Sequence, residues 1–373
     1  MEHSNSGPTP QGKPLEDALA EFLESKSGNY ATNLERVVGQ WITYCADRDV
    51  RTLESVTKRT MGHYASHLDR RVDAGQSDAV DGGIAASTAW TYYNQVSAFL
   101  SWAVKWDYLA ENPAEKAVAK DELPPRPSSS DSERQFWSPD QRQALVSYVD
   151  NRARTAIDER GVDALEEVRD RALVTLLAYT GVRGAEVLAD YRDDRRNGLR
   201  WHNVHLDDGV ITVLGKSQQT EQTPLPDQAV EPLRRLETIL DPPAEGWPVF
   251  PSRHPPSLYK AIDAAGHEKP DGDPWEYVLE TGIEPPSMST SGARTLLKRL
   301  SDKADVPLDD SPKDYLTLHG ARRGVGEKLY RERGAAAAQR TLRHADPQTT
   351  SEMYSHIEAS ELAKDNTAVF DDE

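Results

Sequence analysis

One stretch of this chain keeps a different period from everything around it. Residues 199–226, LRWHNVHLDDGVITVLGKSQQTEQTPLP, alternate in character and turn at DDG and at GKSQQ. That pattern predicts three short strands joined by tight turns. On both sides the apolar residues recur at helical spacing instead. A chain of this kind can fold only as a mainly α structure with one small antiparallel sheet.

The helical signals are strongest near the N-terminus. In STAWTYYNQVSAFLSWAVKWDYL, Val96, Phe99, Leu100 and Ala103 fall on one stripe at i, i+3, i+4 and i+7. NYATNLERVVGQWITYCADR and KRTMGHYASHLDRRV read as shorter helices of the same kind. The last of these carries Lys58, Arg59, Arg70 and Arg71, a basic group that suits DNA phosphates or a solvated face. Further on, SPDQ sets Ser138 as N-cap, Pro139 at N1 and Gln141 at N3, a capping box that starts a helix. DALEEVRDRALVTLLAYTG turns Leu165, Val168, Ala172, Leu173 and Leu176 inward and stops at Gly181.

Between these two regions lies DELPPRPSSSDSERQFW, residues 121–137, which mixes Pro, Ser and charge without an apolar period. It predicts an exposed linker. The expected organisation is a helical domain over 1–120, a linker over 121–137, and a larger domain over 138–373 that includes a C-terminal tail. Two Pro-rich segments, LDPPAEGWPVFPSRHPP and HEKPDGDPWEYVLETGIEPPS, read as surface loops, with an insertion of unassigned role at 268–287.

Composition narrows the setting. The single cysteine, Cys45, excludes an internal disulfide and a cysteine-rich zinc site. No long uncharged apolar run predicts a membrane span, and the N-terminal residues lack the pattern of a signal peptide. The expectation is a soluble cytoplasmic protein without membrane partner, metal or cofactor. The net charge is −18, with 44 basic against 62 acidic residues. The basic residues divide into 30 arginines and 14 lysines. Acidic excess with few lysines suits a protein of high-salt surroundings, where long-range charge is screened within a few Å. An acidic cytoplasmic protein is the plainer alternative.

Candidate chemistry gathers around a tyrosine. Tyr354 lies in the polar stretch TLRHADPQTTSEMYSHI, and a lone tyrosine in such a setting packs far more often than it attacks. Other residues are needed to make it a nucleophile. In TGVRGAEVLAD, Arg183 follows a glycine turn at the start of a new helix, with Glu186 at i+3. In LHGARRGVGEKLY, His319 and Arg322 share one face of a first helical turn, an arrangement that suits a phosphate. Lys216, in the GKSQQ turn, is the only lysine between Lys120 and Lys260. An amine there can lose a proton, which arginine cannot do at ordinary pH. His344 stands ten residues before Tyr354. Each feature alone also fits an ordinary capped helix, surface pair or structural histidine.

Their order and spacing carry more than any one of them. Arg183-x-x-Glu186, a hairpin Lys216, His319-x-x-Arg322, His344 and Tyr354 together resemble the tyrosine recombinase (phage integrase) family, of an integrase or Xer-like kind from a halophilic archaeal setting. TGVRGAEV resembles the family's first arginine box, LHGARRG the second, and LRHADPQTTSEMYSH the segment from histidine to tyrosine. The N-terminal helices are similar to the family's core-binding domain. Two positions depart from the pattern. Arg343 stands where glycine is usual, and Gly324 where a small hydroxyl residue is common.

The resemblance implies a two-domain clamp on double-stranded DNA, a helical core-binding domain and an α+β catalytic domain, acting as a tetramer on paired sites. It implies attack by Tyr354 on a DNA phosphate, giving a 3′-phosphotyrosine. Arg183 and Arg322 would hold the phosphate oxygens, Lys216 would protonate the leaving oxygen, and His319 and His344 would assist, with Glu186 supporting. No metal is implied. A topoisomerase-like enzyme of the same chemistry, or a non-catalytic DNA-binding protein on the same fold, are the alternatives.

Overall fold

The computed structural model describes residues 12–75, 83–126, 134–215, 218–309, 311–351 and 353–354. The chain divides into two compact units, Met1–Ser129 and Ser130–Glu373.

In the first unit, α1 (Leu15–Glu24), α2 (Gly28–Ala46), α3 (Lys58–Gly75), α4 (Ala86–Lys105) and the single turn α5 (Ala117–Lys120) enclose one core. The stripe expected on α4 is buried, with Val96, Phe99, Leu100 and Ala103 all fully inside. Phe99 meets Phe22 of α1 at 5.5 Å and Trp41 of α2 at 6.1 Å, both edge-on, so the three helices share one aromatic contact. Tyr93 is buried yet satisfied, donating to the carbonyls of Ala114 and Ala119 at 3.0 Å. On the outside, Arg36 and Arg71 both lie against the Tyr92 ring. The basic residues of α3 are not one group. Lys58 and Arg59 open the helix and Arg70 and Arg71 close it, roughly 18 Å apart at 1.5 Å per residue.

The second unit begins with α6 (Pro139–Arg160), capped as its sequence predicts: Gln141 N–H donates to Ser138 Oγ at 3.2 Å, and Ser138 N–H to Gln141 Oε1 at 3.1 Å. Next comes α7 (Leu165–Thr180), the central helix, buried nearly all round and packed against α6. After it come the single turn α8 (Gly184–Val187) and the sheet. Strands β1 (Val204–His205), β2 (Val210–Leu214) and β3 (Thr220–Pro224) pair antiparallel in the order β1-β2-β3. The chain then runs through α9 (Asp227–Leu240), α10 (Pro255–Ala264), α11 (Pro274–Thr281), α12 (Thr290–Lys303), α13 (Leu318–Arg333) and α14 (Ala335–Leu342). The architecture is thus mainly α with a small antiparallel sheet. No described helix is long and apolar enough to cross a membrane.

Three expectations from sequence need correction. The exposed linker over 121–137 is packed at both ends: Leu123 joins the first core and Trp137 the second. Gln135 donates to Ser311 and to the Tyr315 carbonyl, and accepts from Thr317 N–H. The Pro-rich loop after α9 buries Trp247, Val249 and Phe250. The insertion at 268–287 contains α11, started by Asp273, which accepts from Trp275 N–H, with Pro274 at N1. Its Trp275 is buried edge-on to Trp247 at 6.4 Å. In each case one or two large side chains anchor a segment that has no period, so proline content misleads.

Candidate active site

The site is built where three helix ends meet. Helix α7 stops at Gly181, whose φ of +69° is the left-handed conformation that glycine adopts without strain. A side chain there would also collide with Leu342 at 2.9 Å. Two residues on, Arg183 caps α8. Its N–H and its Nη1 both donate to the Glu186 carboxylate, at 2.8 and 2.7 Å. Glu186 is buried, unlike the surface pair that such spacing usually gives. Burial works against its charge, but Arg343 and the bonds from Arg183 prevail and hold it below the usual carboxylate range.

Helix α13 starts at Thr317, whose hydroxyl accepts from Gly320 N–H at 3.0 Å. This start places His319 and Arg322 in its first turns. Arg322 is 3% exposed and donates to the carbonyls of Gly181, at 2.5 Å, and Leu342. One guanidinium therefore ties the ends of α7 and α14 to α13. Desolvation, helped by the charge of Arg183, lowers its pKa to about 10, so it stays charged at neutral pH.

Helix α14 ends at Leu342, and Arg343 takes φ +53° as its C-cap. The glycine-like backbone is thus kept at a position occupied by arginine. His344 follows, its Nδ1 paired with Thr350 Oγ1 at 2.9 Å. His344 and His319 are both pushed down to about 4, by desolvation first and then by nearby arginines. For His319 these are Arg323, Arg322 and Arg183; for His344 they are Arg322 and Arg183. His319 keeps one side open to solvent. Both imidazoles are neutral at pH 7.

Tyr354 is fully buried. Its ring packs against Tyr330 at 5.3 Å and Phe136 at 6.3 Å, and its hydroxyl donates to the Arg323 carbonyl at 3.4 Å. Gly326 makes room for it, since a Cβ there would stand 2.0 Å from the tyrosine oxygen. Burial raises its pKa, opposed only partly by Arg322. A side chain with no exposed surface meets no ligand, so any molecule reaches Tyr354 only if the ring leaves this seat.

The structure thus brings Arg183, Glu186, His319, Arg322, His344 and Tyr354 together around the start of α13. Lys216 lies outside the described residues. Its flanking hairpin is in place: Arg196 donates to the carbonyls of Leu214 and Gly215, and also to that of Ala185 in α8. Lys58, Arg59, Arg70 and Arg71 belong to the other unit. Arg343, marked in the sequence only as a departure from glycine, reaches Glu186 at 2.6 Å and Glu221 of β3 at 3.2 Å. Gly324 has no space for a hydroxyl side chain, because its Cβ would meet the Trp137 carbonyl at 2.5 Å. Among the described residues no three His, Cys, Asp or Glu side chains are placed to hold a metal ion.

Residues 138–361, which include all six of these side chains and the hairpin, match the model of the phage integrase family. The chain belongs to that family. Among curated relatives, the tyrosine recombinase XerC of Xylella fastidiosa (strain 9a5c) is 23% identical over 354 residues, covering 94% of each chain. Among solved structures, the Tn1549 transposon integrase in complex with transposon right end DNA superposes with a TM-score of 0.56 at 14% identity. That match covers 94% of this chain and 99% of the other. The XerH site-specific recombinase bound to a palindromic difH substrate gives 0.53, also at 14% identity, covering 96% and 98%. At such identity the structural likeness speaks for the shared integrase fold.

Proposed function

We propose that this member of the phage integrase family is a site-specific tyrosine recombinase, which cuts and rejoins double-stranded DNA through a 3′-phosphotyrosine. The observation that carries the reading is the convergence of two arginines and two neutral histidines beside a tyrosine, at a site that three helix ends assemble. Two such cations with neutral donors suit the extra negative charge of a phosphoryl transition state. The curated relatives named tyrosine recombinase, and solved neighbours described as DNA complexes, support the same substrate class.

In this reading Tyr354 Oη attacks the phosphorus, the bond to the 5′ oxygen breaks, and that oxygen takes a proton from Lys216. One phosphoester is exchanged for another, so rejoining needs no outside energy. Arg183 and Arg322 hold the non-bridging oxygens, His344 donates to one of them, and His319 accepts the tyrosine proton. Glu186 orients Arg183. A tyrosine of ordinary pKa, about 10, needs such help at neutral pH. No metal or cofactor takes part. The two units close on the duplex as a clamp, Lys58, Arg59, Arg70 and Arg71 meet phosphates, and four protomers act on two sites. The setting is a high-salt cytoplasm, on the ground of the −18 charge and the excess of arginine over lysine.

A nicked suicide substrate carrying candidate sites tests this. The parent should trap a covalent protein–DNA adduct and Tyr354→Phe none, with DNA affinity kept. An adduct in the Phe variant would assign the attack to another residue. Supercoil relaxation without recombinant products would favour a topoisomerase-like enzyme.

A further inference from the structure

Arg343 occupies a costly position. Its backbone is left-handed, which arginine adopts with strain, and its Nε is buried without a hydrogen-bond partner. Costs of this kind persist where the side chain has a task that the fold alone would not require. The remaining donors show the task. Nη2 reaches Glu186 Oε2 at 2.6 Å, the carboxylate that also holds Arg183, and Nη1 reaches Glu221 Oε2 at 3.2 Å. Glu221 in turn lies flat against the opposite strand end: a Cβ on Gly215 would stand 2.1 Å from its Oε1. Gly215 is the residue before Lys216 in the chain.

We infer that Arg343 is a positioning residue, which fixes the β2–β3 hairpin to the Arg183–Glu186 pair through a two-carboxylate bridge. Arg196 holds the main chain of β2 to α8 from within the same unit. Arg343 adds a side-chain tie to β3, and makes it from the residue next to His344. One guanidinium therefore sets the spacing between the phosphate-holding arginine and the hairpin that bears the lysine. This rests on the reading above that Lys216 protonates the leaving oxygen.

The test uses two variants that keep charge or shape. Glu221→Gln removes the charge that pairs the hairpin arm with Arg343, which weakens that arm, and leaves the Arg343–Glu186 pair in place. Arg343→Lys keeps the charge and loses the planar fork. Both should bind DNA as the parent does and cut an ordinary substrate roughly 10- to 100-fold more slowly, the scale of an ångström's misplacement. Both should recover most of that loss on DNA with a 5′-bridging sulfur, which leaves without a proton. The double variant should be no slower than either single one. Parent-like rates in Glu221→Gln overturn the proposal. So does an equal loss on both substrates while Lys216→Ala is rescued by sulfur. If Lys216→Ala is itself not rescued, the general-acid reading fails instead. The bridge then stands or falls on whether the two single losses are non-additive or additive.

Discussion

The seat of Tyr354 can be closed by one methyl group. In Gly326→Ala the new Cβ would stand 2.0 Å from the tyrosine oxygen, 2.9 Å from its ring carbon Cζ and 2.5 Å from Leu342 Cδ1. The leucine methyl can rotate away. The tyrosine cannot, because its hydroxyl ends a rigid ring wedged between Tyr330 and Phe136. It must move by about an ångström or leave. Full burial of such a ring is worth about 2–3 kcal/mol, and the 3.4 Å hydrogen bond adds little. At that depth roughly one molecule in 30 to one in 150 has the tyrosine out at any time. Closing the seat makes the released state the common one. Alanine in mid-helix also recovers about 1 kcal/mol over glycine, which offsets part of the lost packing. Under single-turnover conditions on a suicide substrate, Gly326→Ala should therefore form the covalent adduct about 10- to 100-fold faster than the parent. Tyr354 should become accessible to a tyrosine-directed reagent. An unchanged adduct rate with Tyr354 still protected would refute the argument that burial holds the nucleophile back.

Arg322→Lys should keep charge and lose nearly all cleavage, on the order of 100- to 1,000-fold, because one ammonium cannot serve two carbonyls and a phosphate in one plane; cleavage within a few-fold of the parent would remove Arg322 from the phosphate. His319 and His344 sit near 4 in the folded protein, below their ordinary value of about 6.5. The unfolded chain therefore binds more protons between those values, and stability should fall as pH drops from about 6.5 towards 4, as denaturant midpoints would show. A bound phosphate raises both values, so DNA binding should take up protons at pH 5.5. Calorimetry in buffers of different ionisation heat reads that uptake, and none at that pH would contradict the placement of both rings. The −18 charge predicts greater stability in concentrated salt and a shallower slope of log affinity against log salt than a basic integrase of similar footprint gives. Maximal stability in dilute buffer with a steep slope would defeat that expectation.

What the sequence made legible follows from range. The α4 stripe, the Ser138–Gln141 capping box and the three strands are local patterns, decided within four residues, and each appears in the structure. The candidate residues formed an ordered set in the sequence, and the structure brings six of them together, while Lys216 lies outside the described residues. Burial was not legible. Tyr354 lies in a polar stretch, and its apolar seat comes from Phe136, Tyr330 and Leu342, residues that no local window joins to it. Nor were the contacts of Arg343 legible beyond its departure from glycine, since its two carboxylates lie 122 and 157 positions away. Trp247 and Trp275 show the same limit: each anchors a Pro-rich segment with only one or two buried neighbours, too few to set a period.

These long-range contacts have one consequence in common. Without DNA, the site satisfies its own charges. Arg322 spends its donors on the carbonyls of Gly181 and Leu342, Arg183 on Glu186, and Tyr354 on the Arg323 carbonyl. Both histidines stay neutral among the arginines. An open site with two bare guanidiniums would be costly to hold, because a buried unpaired charge has little else to balance it. The arrangement removes that cost by folding the ends of α7, α13 and α14 onto one another. On the proposed reading, the phosphate must then compete with protein carbonyls for Arg322, and the tyrosine must be drawn out of its seat. Part of the DNA-binding energy would be consumed in that exchange, so under the proposed function weakly bound, off-target DNA would lack the means to arm Tyr354.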